Sequence, residues 1–252
     1  MTSSILYCGD TDLATAASYL AGLMTHWGWH YEYVPSQVPL SGQHLDRQHA
    51  LFIFSDYPAS QAAEPWQRAV VERVRDGAGL LMIGGWESFH GMGGNWDGTV
   101  LGQALPVDIS DRDDRCNFAQ GALLLPRDEP ELWGPLPWRT QPPAIGGLNR
   151  VRPKPEARVA LEAHPLKAWR DEGDRWQLVT ETPLPALVVG TCGGGRTAAL
   201  LTDVAPHWVG GLVDWGSARV TAQAPGGAAI EVGDLYASFL HRLLSFTART
   251  LQ

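Results

Sequence analysis

Residues 80–91 read Leu-Leu-Met-Ile-Gly-Gly-Trp-Glu-Ser-Phe-His-Gly, an apolar run that passes directly into a glycine-rich turn. The apolar residues 80–83 predict a strand, the fourth of a parallel sheet. Ligands of such sheets bind at the carboxyl ends of the strands. The stretch therefore predicts a strand, 80–83, and a polar loop, 84–91, at the functional edge of the sheet.

The residues before this stretch predict the other strands of a parallel sheet. Asp12 is a predicted N-cap, and Gly28 is a predicted helix stop. Alternating strands and amphipathic helices imply right-handed βαβ units, so we predict an α/β fold with a flavodoxin-like, doubly wound, mostly parallel sheet and helices on both faces. The predicted strands are 5–8, 30–34 and 50–54, and the predicted helices are 13–27 and 64–75.

The second half of the chain predicts an elaborated segment, a late β-hairpin and a closing helix. Residues 91–155 are rich in Gly, Pro and Trp, so we expect an elaboration of short strands folded over the sheet. Within it, the mixed-sign run 111–115 predicts a solvated loop, a flap or an oligomer contact. A closing helix is predicted over 234–247, and residues 1–252 are expected to form one domain. The predicted strands are 107–109, 122–125, 158–163, 186–189 and 197–201, the last two forming the hairpin.

Charge and composition limit the classes of partner. The net charge is −8, and Lys154 and Lys167 are the only lysines, so neither nucleic acid nor an anionic membrane is an expected partner. No apolar stretch approaches the roughly 20 residues that span a bilayer, and the first residues lack a basic flank. Three scattered cysteines with no CxxC pair favour a reducing compartment. We therefore expect a cytoplasmic protein.

Polar residues follow four of the predicted strands at the same edge of the sheet. Asp at a strand end often caps nearby backbone N–H groups, but four such ends in one place favour a ligand site. The candidate ligand-binding residues are Gly9, Asp10, Asp56, Tyr57, Gly85, Trp86, His90 and Trp208.

Glu87, His207 and Asp203 are the candidate catalytic residues. The turn after the strand 80–83 predicts an elbow with Trp86 or Glu87 in a strained, exposed backbone position. Glu87, partly desolvated near a histidine, could act as a general acid or base, with Asp203 or Asp56 as the second carboxylate of a hydrolase. Alternatively, Glu87 fixes the turn by bonding backbone N–H groups, and His207 packs behind a tryptophan.

These segments together resemble the glutamine amidotransferase-like group related to the ThuA-like trehalose-utilisation proteins, within the class I glutamine amidotransferase superfamily. The segments that carry the resemblance are 9–10, 84–91, 149–151, 153–155 and 202–208. A working glutaminase of the superfamily has Gly-X-Cys-X-Gly at the elbow and a His and Glu two residues apart. Here Trp86 or Glu87 stands at the cysteine position, and His207 has no glutamate two residues on. We therefore expect no glutamine hydrolysis by this mechanism, although Cys8 lies on a neighbouring strand.

The sequence leaves three functions open. The first is binding or processing of a small polar ligand, such as a sugar or amino-acid derivative; the second is a hydrolase using Glu87 and His207; the third is a non-catalytic scaffold or assembly module, with a homo-oligomer plausible. An enzyme would be a hydrolase or transferase. No cofactor is expected, because Gly84 and Gly85 lack the third glycine of a dinucleotide loop and there is no P-loop. No metal is expected, because the histidines do not form an HExxH motif.

Overall fold

A computed structural model describes residues 4–127 and 130–249, with the side chains of residues 130 and 131 left undescribed. The strands are β1 (Ser4–Gly9), β2 (His30–Val34), β3 (His49–Ser55), β4 (Gly79–Ile83), β5 (Val107–Asp108), β6 (Arg115–Pro126), β7 (Ala144–Asn149), β8 (Arg152–Pro153), β9 (Arg158–Arg170), β10 (Trp176–Thr180), β11 (Leu184–Cys192), β12 (Gly195–Leu200), β13 (Arg219–Gln223) and β14 (Ala229–Gly233). The α-helices are α1 (Ala17–His26), α2 (Glu64–Arg75), α3 (Val100–Ala104), α4 (Pro130–Trp133) and α5 (Asp234–Ala248). Short 3₁₀ helices cover Gly42–Leu45, Ala59–Gln61 and Gly210–Leu212.

A ten-stranded sheet organises the molecule in the order β2-β1-β3-β4-β12-β11-β9-β6-β7, with β10 paired to β9. The strands β2, β1, β3, β4 and β12 are parallel, and this order confirms the predicted flavodoxin-like α/β fold. Beyond β12 the neighbouring strands are antiparallel. The parallel half thus supplies the edge at which ligands of such sheets bind.

Apolar side chains on the central strands build the core. Every residue of β4 is buried, which is typical of an apolar strand covered on both faces. Helix α5 packs on β3, β4 and β12, and α2 packs on β11 and β12. The carboxyl ends of β1, β3, β4 and β12 are therefore held by a rigid scaffold, and we call this edge of the sheet the rim.

The first helix begins later than its apolar spacing predicts. Asp12 does not cap it: the Asp12 carboxylate accepts a 2.8 Å hydrogen bond from the Ala14 N–H in a separate turn, and Ala16 precedes the helix without a side-chain cap. The predicted N-cap is therefore wrong. The predicted stop is confirmed, because Gly28 adopts a φ of +72° just after the helix.

The middle segment extends the main sheet instead of folding over it. Strand β6 pairs with both β7 and β9, so the short strand predicted at 122–125 is part of a 12-residue strand. The β5 strand pairs with β8 in a separate two-stranded sheet. The late hairpin of β11 and β12 and the closing helix α5 lie where the sequence predicts them. In the described part of the chain, no helix is both long and apolar enough to cross a bilayer.

Candidate functional site

Three aspartates that follow separate strands come together at the rim. Asp10 follows β1, Asp56 follows β3 and Asp203 lies just beyond β12. Their carboxylates are near enough to interact, since the charge of Asp203 raises the pKa of both Asp10 and Asp56. We call Asp10, Asp56 and Asp203 the aspartate cluster.

Asp10 is the innermost member and is held by a strained turn. Its φ is 52°, and the preceding Gly9 has a φ of 125°. A Cβ on Gly9 would lie 1.6 Å from the carbonyl oxygen of Ser55, so only glycine fits there. The buried Asp10 carboxylate accepts a 2.9 Å hydrogen bond from Ser55 Oγ and another from the Tyr7 hydroxyl. Burial, followed by the charges of Asp203 and Asp56, raises its pKa well above 3.8.

The Asp56 carboxylate extends over the end of β4, beside Gly85 and Glu87. The φ of Asp56, 43°, is also in the left-handed region, and its main-chain N–H donates to Ser88 Oγ at 2.9 Å. A Cβ on Gly85 would lie 2.1 Å from Asp56 Oδ1, so the absent side chain makes room for this carboxylate. The Glu87 N–H donates to the same oxygen at 2.7 Å. Burial and the charge of Asp203 nevertheless raise the pKa of Asp56 to about 7.

Asp203 completes the cluster from the other side of β4. It is 7% exposed, and its Oδ1 accepts hydrogen bonds from Val204 N–H at 2.6 Å and Ala205 N–H at 3.0 Å. Burial raises its pKa to about 6 even though these N–H groups favour the ionised form. Tyr236 of α5 donates to the Val204 carbonyl at 2.5 Å, which ties this strand end to the closing helix.

The loop after β4 is fixed by a buried amide and a buried carboxylate. Asn149 Oδ1 accepts from the Gly85 N–H at 2.9 Å, and Asn149 Nδ2 donates to the Gly85 carbonyl at 3.1 Å and to Asp114 at 2.8 Å. Asp114 in turn accepts from the N–H groups of His90 and Gly91, each at 3.0 Å. Asp114 is 5% exposed, so the prediction of a solvated loop at 111–115 is wrong at this residue. The antiparallel half of the sheet thus positions the rim of the parallel half.

The strained residue of this loop is not the one expected. Neither Trp86 nor Glu87 has a positive φ; Phe89 does, at 52°. Phe89 is fully buried, so the turn presents no strained, exposed side chain. The predicted elbow at Trp86 or Glu87 is therefore wrong, and backbone strain at the rim lies on Asp10, Thr11 and Asp56 instead.

Glu87 and His207, two of the candidate catalytic residues, lie near the cluster without bonding to each other in the described structure. Glu87 is half-buried, and its carboxylate charge contributes to the raised pKa of Asp56. His207 is exposed, and its ring stands edge-on to Trp86 with centroids 6.1 Å apart. Trp86 is 43% exposed, and the Arg115 guanidinium lies 4.7 Å from its ring centroid. These residues form the solvent side of the rim.

The remaining ligand-binding candidates have local partners of their own. The buried Tyr57 donates its hydroxyl to the Val38 carbonyl at 2.7 Å, and the buried Trp208 donates its indole N–H to Asn117 at 2.6 Å. His90 Nδ1 lies 2.8 Å from an Asp97 carboxylate oxygen. Of the two candidate tryptophans, Trp86 is the one open to solvent.

Neither Cys8 nor Cys192 is presented to the aspartate cluster as a nucleophile. Cys8 is fully buried within β1, and burial raises its pKa. Cys192 ends β11, at the opposite end of the sheet from the carboxyl end of β12. Cys116, the second residue of β6, is half-buried and pairs in register with Leu148 of β7. Within the described residues, no group of three or more His, Cys, Asp or Glu side chains is arranged to hold a metal ion.

Five residues that support the site were not among the candidate site residues: Tyr7, Ser55, Ser88, Asp114 and Asn149. Ser55 adjoins a predicted strand end and Ser88 lies in the predicted loop, so proximity to the rim was an available signal. Tyr7 looks like an ordinary core residue of β1, and Asn149 reaches Gly85 from 64 positions away along the chain. No local pattern reveals such a contact.

Two surface grooves lie away from the rim. One of about 680 Å³ runs between α1 and α5 and is lined by residues such as Trp27, Arg196 and His241. The other, of about 810 Å³, lies beside α2 and α3 and includes Glu72 and Cys192. Neither groove contains a member of the aspartate cluster. We place the candidate site at the rim because the carboxylates with raised pKa values lie there.

Similarity to known proteins is strongest at the level of the fold. A family model described as "Putative glutamine amidotransferase" matches residues 51–221. The cytoplasmic protein STM1381 of Salmonella typhimurium LT2 is 22% identical with a TM-score of 0.70, covering 97% of this chain and 99% of that chain. The cytoplasmic protein STM3548 of Salmonella typhimurium is also 22% identical, with a TM-score of 0.69 and coverage of 96% and 98%. A ThuA-like protein from Parabacteroides merdae ATCC 43184 is 12% identical, with a TM-score of 0.58 and coverage of 100% and 93%. A comparison with curated proteins gave no match.

Proposed function

The chain belongs to the glutamine amidotransferase-like family whose model spans residues 51–221, and we propose that it uses its rim to bind a small, hydroxyl-bearing polar ligand and to act on it through Asp56 and Asp203. The resemblance seen in the sequence is thereby confirmed at the level of family and fold. The cytoplasmic location and the absence of nucleic acid and membrane partners stay predictions.

One observation carries this proposal: the chain leaves position 85 without a side chain so that the Asp56 carboxylate can cross the end of β4 towards Asp203. Two carboxylates that lie close together at the rim destabilise the folded state unless protons or ligands offset their repulsion. The left-handed backbone of Asp56 is a further cost concentrated at this place. A fold that keeps several unfavourable features at one rim supports a functional role for that rim.

The cluster has the properties of an acid and base pair. Burial and the charge of Asp203 raise the pKa of Asp56 to about 7, so its protonated form is available near neutral pH and can donate a proton. Asp203 accepts hydrogen bonds from the Val204 and Ala205 N–H groups, which favour its ionised form, so it is the member suited to accept a proton. Carboxylates also accept hydrogen bonds from ligand hydroxyls, while the exposed Trp86 ring offers an apolar face to the C–H side of a sugar-like ligand.

Hydrolysis of glutamine by a cysteine nucleophile does not fit this site. A thiol attacks as the thiolate, and burial of Cys8 opposes its ionisation. No cysteine occurs in the loop 84–91. We therefore expect no ammonia release from glutamine above that of a boiled sample, and ammonia release that the Cys8→Ala variant abolishes would overturn this part of the proposal.

The test is a ligand panel read by thermal shift and then by calorimetry. The panel contains hexoses, disaccharides, polyols, amino acids and glutamine. For any compound that binds, we expect at least a tenfold loss of affinity in Asp56→Asn and in Trp86→Ala, since each removes a proposed contact. Glu72→Gln on the exposed side of α2 is the matched control and should bind as the wild type does.

The same variants separate the proposed pair from the alternative pair, Glu87 and His207. If a bound compound is turned over, Asp56→Asn should abolish turnover, and Glu87→Gln should keep most of it because Glu87 contacts Asp56 through its main chain. Turnover that survives Asp56→Asn but is lost in Glu87→Gln would favour a hydrolase built on Glu87. Ligands that bind all variants equally would place the binding site elsewhere.

A further inference from the structure

Strand β10 forms an open edge of the sheet. It pairs with β9 alone among the described strands. Trp176 and Leu178 are 67% and 64% exposed, and Val179 is 45% exposed. Edge strands in soluble proteins usually carry a lysine, a proline or a bulge that blocks further pairing. The five residues of β10 contain none of these.

The main-chain groups of β10 that face away from β9 can be identified from the hairpin. The Arg175 carbonyl accepts from Asp171 N–H at 2.9 Å, and the Glu181 N–H donates to the Pro165 carbonyl at 2.8 Å. The main-chain N–H and C=O groups of the odd-numbered residues between 175 and 181 therefore point towards β9. Because these groups alternate along an antiparallel strand, the N–H and C=O groups of Trp176, Leu178 and Thr180 point outward.

The sequence around this edge is complementary to itself in the antiparallel direction. Residues 175–181 read Arg-Trp-Gln-Leu-Val-Thr-Glu. Pairing with a second copy about a twofold axis at Leu178 places Trp176 opposite Thr180 of the second copy, and Arg175 opposite its Glu181. The outward-facing residues would then meet only each other, so each pair would exchange both main-chain hydrogen bonds.

We propose that two copies of this chain associate through β10, joined as an antiparallel pair centred on Leu178. The opposite charges at both ends of the pair select this register. Arg175 is 79% exposed although it lies 3.2 Å from Asp171, and Glu181 is exposed, so both can reach across the edge. A second copy fits better than an unrelated strand, because it supplies the matching charges at both ends. Pairing would also cover Trp176 and Leu178, whose apolar surface is otherwise left in water.

Sedimentation over a range of protein concentrations tests the proposal. We expect the mass to rise with concentration from 27.4 kDa towards twice that value. Arg175→Glu and Glu181→Arg should each weaken the dimer by about tenfold or more, since each puts like charges opposite one another twice per dimer. Circular dichroism should show that both variants remain folded, because both side chains are on the surface.

Mixing the two variants tests whether these two charges face each other across the interface. A chain with Glu at 175 and 181 faces a chain with Arg at both positions, so the mixture should form heterodimers about as well as the wild type forms dimers. Arg68→Glu, which reverses a 61% exposed charge on α2, away from this edge, is the matched control and should leave the dimer unchanged. A monomer at every concentration, a dimer insensitive to both reversals, or a mixture that fails to associate would each overturn the proposal.

Discussion

The main-chain N–H of Glu87 donates a 2.7 Å hydrogen bond to Oδ1 of Asp56, which joins the end of β3 to the loop after β4. The bond favours the ionised form of Asp56 and so opposes the effect of burial on its pKa. Glu87 thus supports the site through its backbone, whatever its side chain does. The carboxylate that extends over the end of β4 is that of Asp56.

Replacing Asp56 by Asn should change how stability depends on pH. The usual pKa of 3.8 is raised to about 7 in the fold, so the folded protein binds the proton more tightly than the unfolded chain does. The free energy of unfolding of the wild type should therefore fall as the pH rises from about 4 to about 7. Allowing for partial exposure of the side chain, we expect the decrease due to Asp56 to be about 2 kcal/mol.

Urea denaturation at a series of pH values measures this effect, and Asp56→Asn should flatten the curve. Asp113→Asn is the control. Its hydrogen bonds to Arg115 lower the pKa of Asp113 to about 2, so the stability it contributes is present above pH 4 and lost only as the pH falls through about 2. An Asp56→Asn curve with the wild-type slope between pH 4 and 7 would contradict the raised pKa.

Adding one methyl group at position 85 should destabilise the protein and disturb the aspartate cluster. In Gly85→Ala, the Cβ would lie 2.1 Å from Asp56 Oδ1, so the carboxylate must move. We expect a loss of about 1–3 kcal/mol in the free energy of unfolding. Gly211→Ala is the matched control, because its Cβ would meet nothing closer than the Ala144 carbonyl oxygen at 3.5 Å. Equal stability of the two variants would show that Asp56 does not occupy this space.

Removing the Asn149 amide should loosen the loop after β4. Asn149→Ala breaks the bonds to both main-chain groups of Gly85 and removes a buried donor from Asp114. We expect a loss of about 2–4 kcal/mol in stability and faster proteolysis within residues 84–91. Asn117→Ala, which removes an exposed amide with one bond to Trp208, should cost less. A larger effect of Asn117→Ala would argue against the role of Asn149.

The three thiols should differ in reactivity. Cys8 is fully buried with a raised pKa, while Cys116 and Cys192 are half-buried. A thiol reagent at pH 8 should therefore modify Cys116 and Cys192 in the native protein and reach Cys8 only after denaturation. Peptide mass spectrometry locates the label. Rapid labelling of native Cys8 would show that the strand opens and would revive it as a nucleophile.

Local patterns predicted the parallel half of the fold closely. The predicted bounds of β2 and α2 agree with the structure, because the strand is flanked by clear turn residues and α2 has one strongly apolar face. The predicted start of α1 was wrong. Aspartate is a common N-cap residue, but the Asp12 carboxylate bonds within a turn that precedes the helix. The pairing of β6 with β9 was missed, since its partners lie far apart in sequence and their exposure does not alternate regularly.

The candidate site was predictable as far as strand ends reveal it. Asp10, Asp56 and Asp203 each follow an apolar strand, and parallel strands bring such ends together. The sequence does not show that the Asp56 carboxylate lies across the end of β4, because this position depends on the space left by the missing side chain of Gly85. Asn149 likewise gains its role only when the antiparallel strand β7 is placed near β4.

The relaxed backbone of Trp86, three residues before the left-handed turn at Phe89, limits how this chain could acquire new chemistry. A cysteine introduced at 86 would sit on an ordinary main chain, flanked by residues that touch the Asp56 carboxylate, whose charge opposes thiolate formation. Shifting the turn would mean undoing the bonds that Asn149 and Asp114 make to the loop. Installing a glutaminase here therefore requires transplanting the whole loop, and no single substitution suffices.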